Sequence, residues 1–146
     1  MNIKMNIKKI DHIGVVVDKL DNSVPFYRNI LGLNLRSVER VESNQVELAF
    51  FPVGELDIEL IAPTSKYSVV SEFLSRGGGI QHICFEVENL RDTMEVLKAR
   101  GMKFLSEIPE SGSRGTKIAF LDLGVSLGTL IEFCEYPNPA KPEPKI

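Results

Sequence analysis

The chain contains 146 residues, 43% of them hydrophobic and 25% charged, which is typical of a globular domain with one core. Its formal net charge of −3 excludes the basic excess that a nucleic-acid partner requires. No apolar run approaches the roughly 20 residues of a membrane helix, and the N-terminus lacks the apolar segment of a signal peptide. Two cysteines, Cys84 and Cys134, make no disulfide framework, so we expect a cytoplasmic protein.

The first half of the chain predicts four strands and one helix in the order β-α-β-β-β. Four segments combine alternation with β-branched or aromatic residues, as strands do: 8–17, 33–41, 45–53 and 56–61. A helix is predicted after the first of these, with capping candidates at 21–23, Pro25 in its first turn and a stop at Gly32. Phe26 and Tyr27 are expected in its buried face.

The second half repeats this order after a linking helix. That helix is predicted over 65–76, with a buried stripe of Val69, Val70, Phe73 and Leu74. A strand, a helix and three further strands are then predicted over 80–87, 90–100, 103–108, 116–122 and 129–135. Residues 1–7 form an N-terminal arm, and the proline-rich tail 136–146 is expected to be disordered.

This internal duplication predicts the fold class. Each module, about 8–63 and 79–135, would expose one sheet face if it stood alone, so the two modules are expected to share one core. We therefore predict a single α+β domain over 8–135. Its two tandem βαβββ modules form a curved eight-stranded mixed sheet around a cavity, with the helices outside.

The duplication also repeats four potential metal ligands. His12 and His82 occupy matching first strands 70 residues apart, and Glu59 and Glu132 occupy matching last strands 73 residues apart. Strand alternation places their apolar neighbours on the opposite face and turns all four side chains into the cavity. Single histidines and glutamates are more often structural or solvated. Two imidazoles and two carboxylates in a partly dry space, however, suit a divalent ion with room for water or substrate.

Several segments carry a resemblance to a known family: Asp11-His12-Ile13-Gly14-Val15, 26–33, Phe51-Pro52-Val53-Gly54 with Ile58-Glu59-Leu60, Gly79-Ile80-Gln81-His82-Ile83, and 115–121. With the duplicated modules, they resemble the vicinal oxygen chelate superfamily, which includes glyoxalase I and ring-cleaving dioxygenases, and most of all its methylmalonyl-CoA epimerases. The resemblance implies one divalent ion (Co, Mn, Ni or Zn), an acyl-CoA thioester substrate and a homodimer. The ligands it implies are His12, Glu59, His82 and Glu132.

The resemblance also implies a reaction. In such epimerases the thioester and carboxylate oxygens of the substrate bind the metal, and a base removes the proton from C2. Protonation of the metal-stabilised enediolate from the opposite face then inverts the centre. Glu132 matches the ligand that also acts as one base. The second catalytic glutamate falls on Ser43 in an alignment without gaps, which makes the adjacent Glu42 the candidate and Glu47 a poorer one.

Other positions affect which substrate is expected. The basic turn common in the family is replaced by Asp122-Leu123-Gly124, which weakens the expectation of a CoA phosphate site. Arg114 and Lys117, in and beside a flexible loop, are candidates for contacting an anionic substrate, although a solvated turn is an equal alternative. Cys84 and Cys134 are expected as inert core residues. The charge run 39–42 is expected as a solvated strand edge.

Two alternatives of other kinds remain on the same scaffold. A glyoxalase I-like lyase or isomerase would use the same four ligands, whereas a dioxygenase normally takes its three ligands from one module. A non-catalytic member that sequesters a small molecule, as antibiotic-resistance members do, would need no metal. Metal content separates the binder from the enzymes.

Overall fold

The computed structural model describes residues 5–124 and 129–138. Eight strands are present: β1 Ile7–Val16, β2 Ser37–Val41, β3 Val46–Val53, β4 Leu56–Pro63, β5 Gly79–Val87, β6 Glu110–Ser111, β7 Lys117–Phe120 and β8 Leu130–Glu135. The helices are α1 Leu20–Pro25, α2 Ser71–Ser75 and α3 Leu90–Ala99, with a π-helical turn at Phe26–Ile30 and a 3-10 turn at Ser113–Gly115. The strands form one sheet in the order β2-β3-β4-β1-β5-β8-β7-β6.

This sheet mixes both pairing modes. β1 pairs with β4 in parallel, whereas the β2–β3, β3–β4, β6–β7 and β7–β8 pairs are antiparallel. The predicted α+β class with an eight-stranded mixed sheet is therefore confirmed. Among the residues described, none of the helices has the length and apolar character needed to cross a bilayer.

The chain divides into two compact units, the first of which comprises Ile10–Cys84. One face of its β1–β4–β3 ladder packs on α1 and the π-helical turn, where Phe51 and Leu60 are completely buried. The ring of Tyr27 lies 5.6 Å from that of Phe51. Val15 and Ile58 pack in the same cluster, so alternation puts the side chains of His12 and Glu59 on the opposite face.

The other face of this ladder is also partly covered. Val16, Leu48, Phe50 and Ile61 form a cluster there with Val70, and Phe73 and Leu74 of α2 pack against it. β3 is therefore buried on both faces, which explains its nearly continuous apolar sequence.

The second unit comprises residues up to Lys9 together with those from Phe85 onward. Here α3 packs Leu90 and Met94 against Ala119 and Phe133 of β7 and β8. The side chain of Asn89 caps α3 by accepting a hydrogen bond of 3.0 Å from the backbone of Asp92. This helix lies almost where the sequence predicts it.

The first helical region differs from its prediction. α1 begins at Leu20, and its N-cap, Lys19, makes no side-chain capping bond, so the residues at 21–23 lie inside the helix. Pro25 ends α1 instead of beginning it. Phe26 and Ile30 are 49% and 73% exposed, because the π-helical turn directs only Tyr27 toward the sheet.

The linking helix is also shorter than predicted. Only Ser71–Ser75 is helical, and Val69 is 65% exposed. The hydroxyls of Ser65 and Ser68 accept hydrogen bonds from the backbone N–H groups of Tyr67 and Val70, at 3.1 and 3.3 Å. Such local bonds offer the backbone an alternative to a helix.

One predicted strand begins later than expected, and another is not a strand. β2 begins at Ser37 because Leu33 and Leu35 pack into the α1 cluster. The strand predicted over 103–108 is reduced to a single bridge between Phe104 and Leu121. The following Pro109 lacks the N–H that would extend a ladder. Residues 1–4 of the predicted arm and 139–146 of the predicted tail lie outside the described residues.

Candidate metal centre

Three of the four predicted ligands converge in the first unit. Nε2 of His12 on β1 lies 3.1 Å from Nε2 of His82 on β5. Oε1 of Glu59 on β4 lies 3.6 Å from the first of these nitrogens and 3.5 Å from the second. All three residues are buried, with 4–5% of their surface exposed. Their donor atoms define a candidate metal centre.

Strand register and a glycine bring these donors together. In the parallel β1–β4 pair, Gly14 lies opposite Glu59, two residues from His12 on the same face. The His82 imidazole occupies the space above Gly14: a Cβ atom there would lie 2.1 Å from its Cε1 atom. The glycine of the Asp-His-Ile-Gly segment therefore makes room for the second histidine.

Each histidine is oriented by the residue that precedes it. Nδ1 of His12 lies 2.7 Å from Oδ2 of Asp11, and Nδ1 of His82 lies 2.9 Å from Oε1 of Gln81. Because both acceptors are oxygens, both Nδ1 atoms donate, and in the neutral form of each ring this leaves a lone pair on Nε2. Two such lone pairs facing each other at 3.1 Å repel unless a cation lies between them.

The donor set fits one divalent ion. Ligands about 2.1 Å from an ion and about 90° apart from each other are about 3.0 Å from one another, close to the separations seen here. One buried carboxylate and two neutral imidazoles suit Co, Mn, Ni or Zn. Asp57, two residues from Glu59 on the same face, pairs with Arg36, whereas Glu59 is the carboxylate grouped with the two histidines.

Asp11 and Gln81 had no ligand-positioning role in the sequence prediction. A signal was nonetheless present, since each predicted metal-binding histidine directly follows a residue with a side-chain oxygen. Outer partners of this kind fix the tautomer and orientation of a ligating imidazole.

We expect Asp11→Ala to weaken metal binding by about 10–100-fold, the usual cost of losing such a partner. The affinity is measured by competition with a chromophoric chelator. Asp21→Ala, which removes an exposed carboxylate of α1, is the matched control and should leave the affinity unchanged. Equal affinities for the two variants would contradict a positioning role for Asp11.

Glu132 belongs to the second unit, where it is buried on β8 opposite Phe120. Its neighbours Ile131 and Phe133 belong to the cluster around α3, so the carboxylate points away from that helix, as predicted. Its role as fourth ligand and base stays a prediction. Cys134, two residues farther along β8, is buried, as is Cys84, and no disulfide joins these two cysteines.

The other predicted site residues are Glu42 in the first unit and Arg114 and Lys117 in the second. Glu42 is in the turn after β2, where its side chain is 76% exposed and binds Arg40 at 2.6 Å. Arg114 sits in the 3-10 turn with its guanidinium 5.7 Å from the Tyr136 ring centre. Lys117 lies opposite Glu135 in the register of the β7–β8 pair. Oε1 of Glu135 accepts a hydrogen bond from the backbone N–H of Leu90, the first residue of α3. Lys117 therefore lies on the face of β7 opposite that of Glu132.

The sequence and the fold are those of a known class. Residues 11–120 match the family model of the Glyoxalase/Bleomycin resistance protein/Dioxygenase superfamily, and the chain belongs to this family. It is 35% identical over 130 residues to the uncharacterized protein YqjC of Bacillus subtilis (strain 168), covering 88% of this chain and 93% of that protein.

Among its relatives are methylmalonyl-CoA epimerases. The human mitochondrial enzyme is 30% identical over 129 residues, covering 87% of this chain and 73% of that protein. A variant of the Streptomyces coelicolor enzyme, solved in complex with 2-nitronate-propionyl-CoA, has a TM-score of 0.84 and 28% identity. The match covers 91% of this chain and 100% of the Streptomyces coelicolor chain.

Proposed function

We propose that this protein is a metal-dependent epimerase of the methylmalonyl-CoA type, which inverts C2 of a 2-substituted malonyl thioester. The observation that carries the proposal is the convergence of His12, Glu59 and His82, with the two imidazole Nε2 atoms 3.1 Å apart. The epimerase relatives support the substrate class. Between two carbonyl groups, the C2 proton of such a substrate is acidic enough for a carboxylate to remove when the developing charge is stabilised.

His12, Glu59 and His82 would hold the ion among buried side chains. When bound, a divalent ion supplies a Lewis acid that stabilises the negative charge developing on the substrate oxygens. Asp11 and Gln81 lie within hydrogen-bond distance of the Nδ1 atoms of His12 and His82, which directs both Nε2 atoms toward the same point. The low exposure of the donors excludes bulk water, which strengthens every electrostatic interaction in the site.

Glu132 is our candidate for the fourth ligand and for the base that removes the C2 proton. Its support is its burial on β8 and its orientation away from α3. Arg114 is proposed to meet an anionic part of the substrate, whereas Lys117 lies on the α3 side of β7, away from Glu132, which argues against the contact predicted for it. A homodimer completes the proposal, and sedimentation of the purified protein tests it.

The reaction is tested by proton NMR of methylmalonyl-CoA in heavy water. Protein loaded with Co²⁺ or Mn²⁺ is expected to exchange the C2 proton and to invert C2, and chelation should abolish both. Metal binding without exchange would reject the epimerase. Conversion of the hemithioacetal of methylglyoxal would then indicate a glyoxalase I-like enzyme, whereas absence of metal binding would indicate a small-molecule binder.

A further inference from the structure

The chain contains one extra residue, Arg36, where it enters β2. The backbone N–H of Arg36 donates a hydrogen bond of 2.9 Å to the carbonyl of Phe50, although the partner of Phe50 in register is Ser37. Two consecutive residues therefore lie opposite one residue of β3, which is the arrangement of a β-bulge. Bulges re-aim a side chain, and they are over-represented next to active sites.

This bulge turns Arg36 away from the helix face of the sheet. Leu35 packs in the α1 cluster, and Val38 lies opposite Ala49, which belongs to the same cluster. Strict alternation would put residues three positions apart on opposite faces, so the extra residue lies between them. The side chain of Arg36 points to the other face, where its Nη2 atom donates to Oδ2 of Asp57.

Asp57 holds this guanidinium beside the candidate metal centre. Asp57 lies opposite His12 in the parallel β1–β4 pair and two residues from Glu59, which is about 7 Å along a strand. The buried cluster under α2 begins two residues beyond Glu59 in the other direction, at Ile61. The side chain of Arg36 is 45% exposed and that of Asp57 only 8%. Arg36 therefore contacts both solvent and a buried carboxylate next to the centre.

The charges at the centre require a cation besides the metal ion. Three buried carboxylates lie in or beside it, those of Asp11, Asp57 and Glu59. In their ionised forms they carry one negative charge more than a divalent ion neutralises. An anionic acyl group would be repelled by this excess, and the guanidinium of Arg36 offsets it.

We propose that Arg36 binds the free carboxylate of the malonyl thioester, a role that rests on the proposed function. A guanidinium carries five N–H donors in a planar fork. Among the residues that the structure describes, the one side chain bonded to this fork is Asp57, through Nη2. The remaining donors suit a second carboxylate. Arg36 thereby selects acyl groups with a carboxylate next to C2 over neutral acyl groups.

Arg36→Met tests this role, with Arg40→Met as the matched control. Arg40 is an arginine of the same hairpin with 54% of its side chain exposed, and its partners are Glu42 and Glu47. Loss of a hydrogen bond between charged groups costs about 10–100-fold in affinity, so Arg36→Met should raise the KM for methylmalonyl-CoA by this factor. Its kcat should stay near the wild-type value, because a contact present in both ground state and transition state affects KM alone. Arg40→Met should leave both constants unchanged.

Ligand binding separates recognition of the carboxylate from a purely structural ion pair. The 2-methylacetoacetyl thioester of CoA has a methyl group in place of the carboxylate oxygen and is otherwise the same ligand. In calorimetry of metal-loaded protein, Arg36→Met should weaken the acid about 10–100-fold and leave the affinity for the ketone unchanged. A double variant with Arg36→Met and Asp57→Asn should give the same result without leaving a buried carboxylate unpaired. Arg36→Lys keeps the charge but not the fork, so its affinity for the acid should be intermediate.

The outcomes separate this role from the proposed function. Wild-type affinity of Arg36→Met for methylmalonyl-CoA overturns the role of Arg36 while the epimerase stands. Equal losses for the acid and the ketone also overturn it, because a residue that contacts the carboxylate must distinguish the two ligands. A metal-loaded wild type that binds neither ligand and leaves the C2 proton unexchanged overturns the epimerase and this role together.

Discussion

His82→Ala is expected to lower divalent-metal affinity by more than the 10–100-fold that loss of an outer-shell partner typically costs. The variant loses one of three buried donors. In the wild type, Nε2 of His12 lies 3.1 Å from Nε2 of His82, and removing the His82 ring leaves an empty space there. Epimerisation should fall below detection at metal concentrations that saturate the wild type. Metal titration with a competing chelator measures the first effect, and the NMR assay measures the second.

Glu86→Gln is the control for that variant. Glu86 lies on the same strand and the same side as His82, but it forms a partly exposed ion pair of 3.1 Å with Lys8. Its loss should cost no more than about 1 kcal/mol and should not change metal binding. If His82→Ala binds metal like the wild type while keeping its circular dichroism spectrum, the three-donor centre is wrong.

Phe51→Ala is expected to lower the free energy of unfolding by about 3–5 kcal/mol, the usual cost of emptying a buried phenylalanine site. Phe51 is completely buried between the sheet and the α1 region, where it packs on Tyr27. Domains are stable by only about 5–15 kcal/mol, so this is a large fraction of the total. The melting temperature should fall by about 10 °C or more.

Phe26→Ala removes the neighbouring aromatic ring as a control. Phe26 also contacts Tyr27, edge to face at 5.4 Å, but it is 49% exposed. Its removal should cost about 1 kcal/mol. Urea denaturation measures the free energy of unfolding of both variants. Equal losses would show that burial of Phe51 does not determine its contribution to stability.

The face of each strand could be predicted from sequence because alternation is local. Every second residue of a strand points to the same side, whatever the strand pairs with. The apolar neighbours of Glu59 and Glu132 therefore reveal which side packs on the helices. α3 could be predicted for a similar reason, since its cap at Asn89 and its apolar positions lie within one turn of each other.

The pairing of distant strands could not be predicted in the same way. Glu39 and Arg40 are neighbours on β2, so alternation puts them on opposite faces, but only the register of β2 on β3 shows that Glu39 shares a face with Leu48. The helix boundaries also changed in the fold: serine hydroxyls in the linking segment bind the backbone, and the π-helical turn exposes Ile30.

By itself, the sequence determined the duplicated order of elements and the inward direction of the histidines and glutamates, because both depend on periodicity within short segments. Tertiary structure decided how closely His12, Glu59 and His82 approach one another and that the His82 ring lies over Gly14. It also selected Asp11 and Gln81 as the partners of the two imidazoles. These features join strands that are far apart in the chain, so their geometry is set by packing and register, which no local pattern specifies.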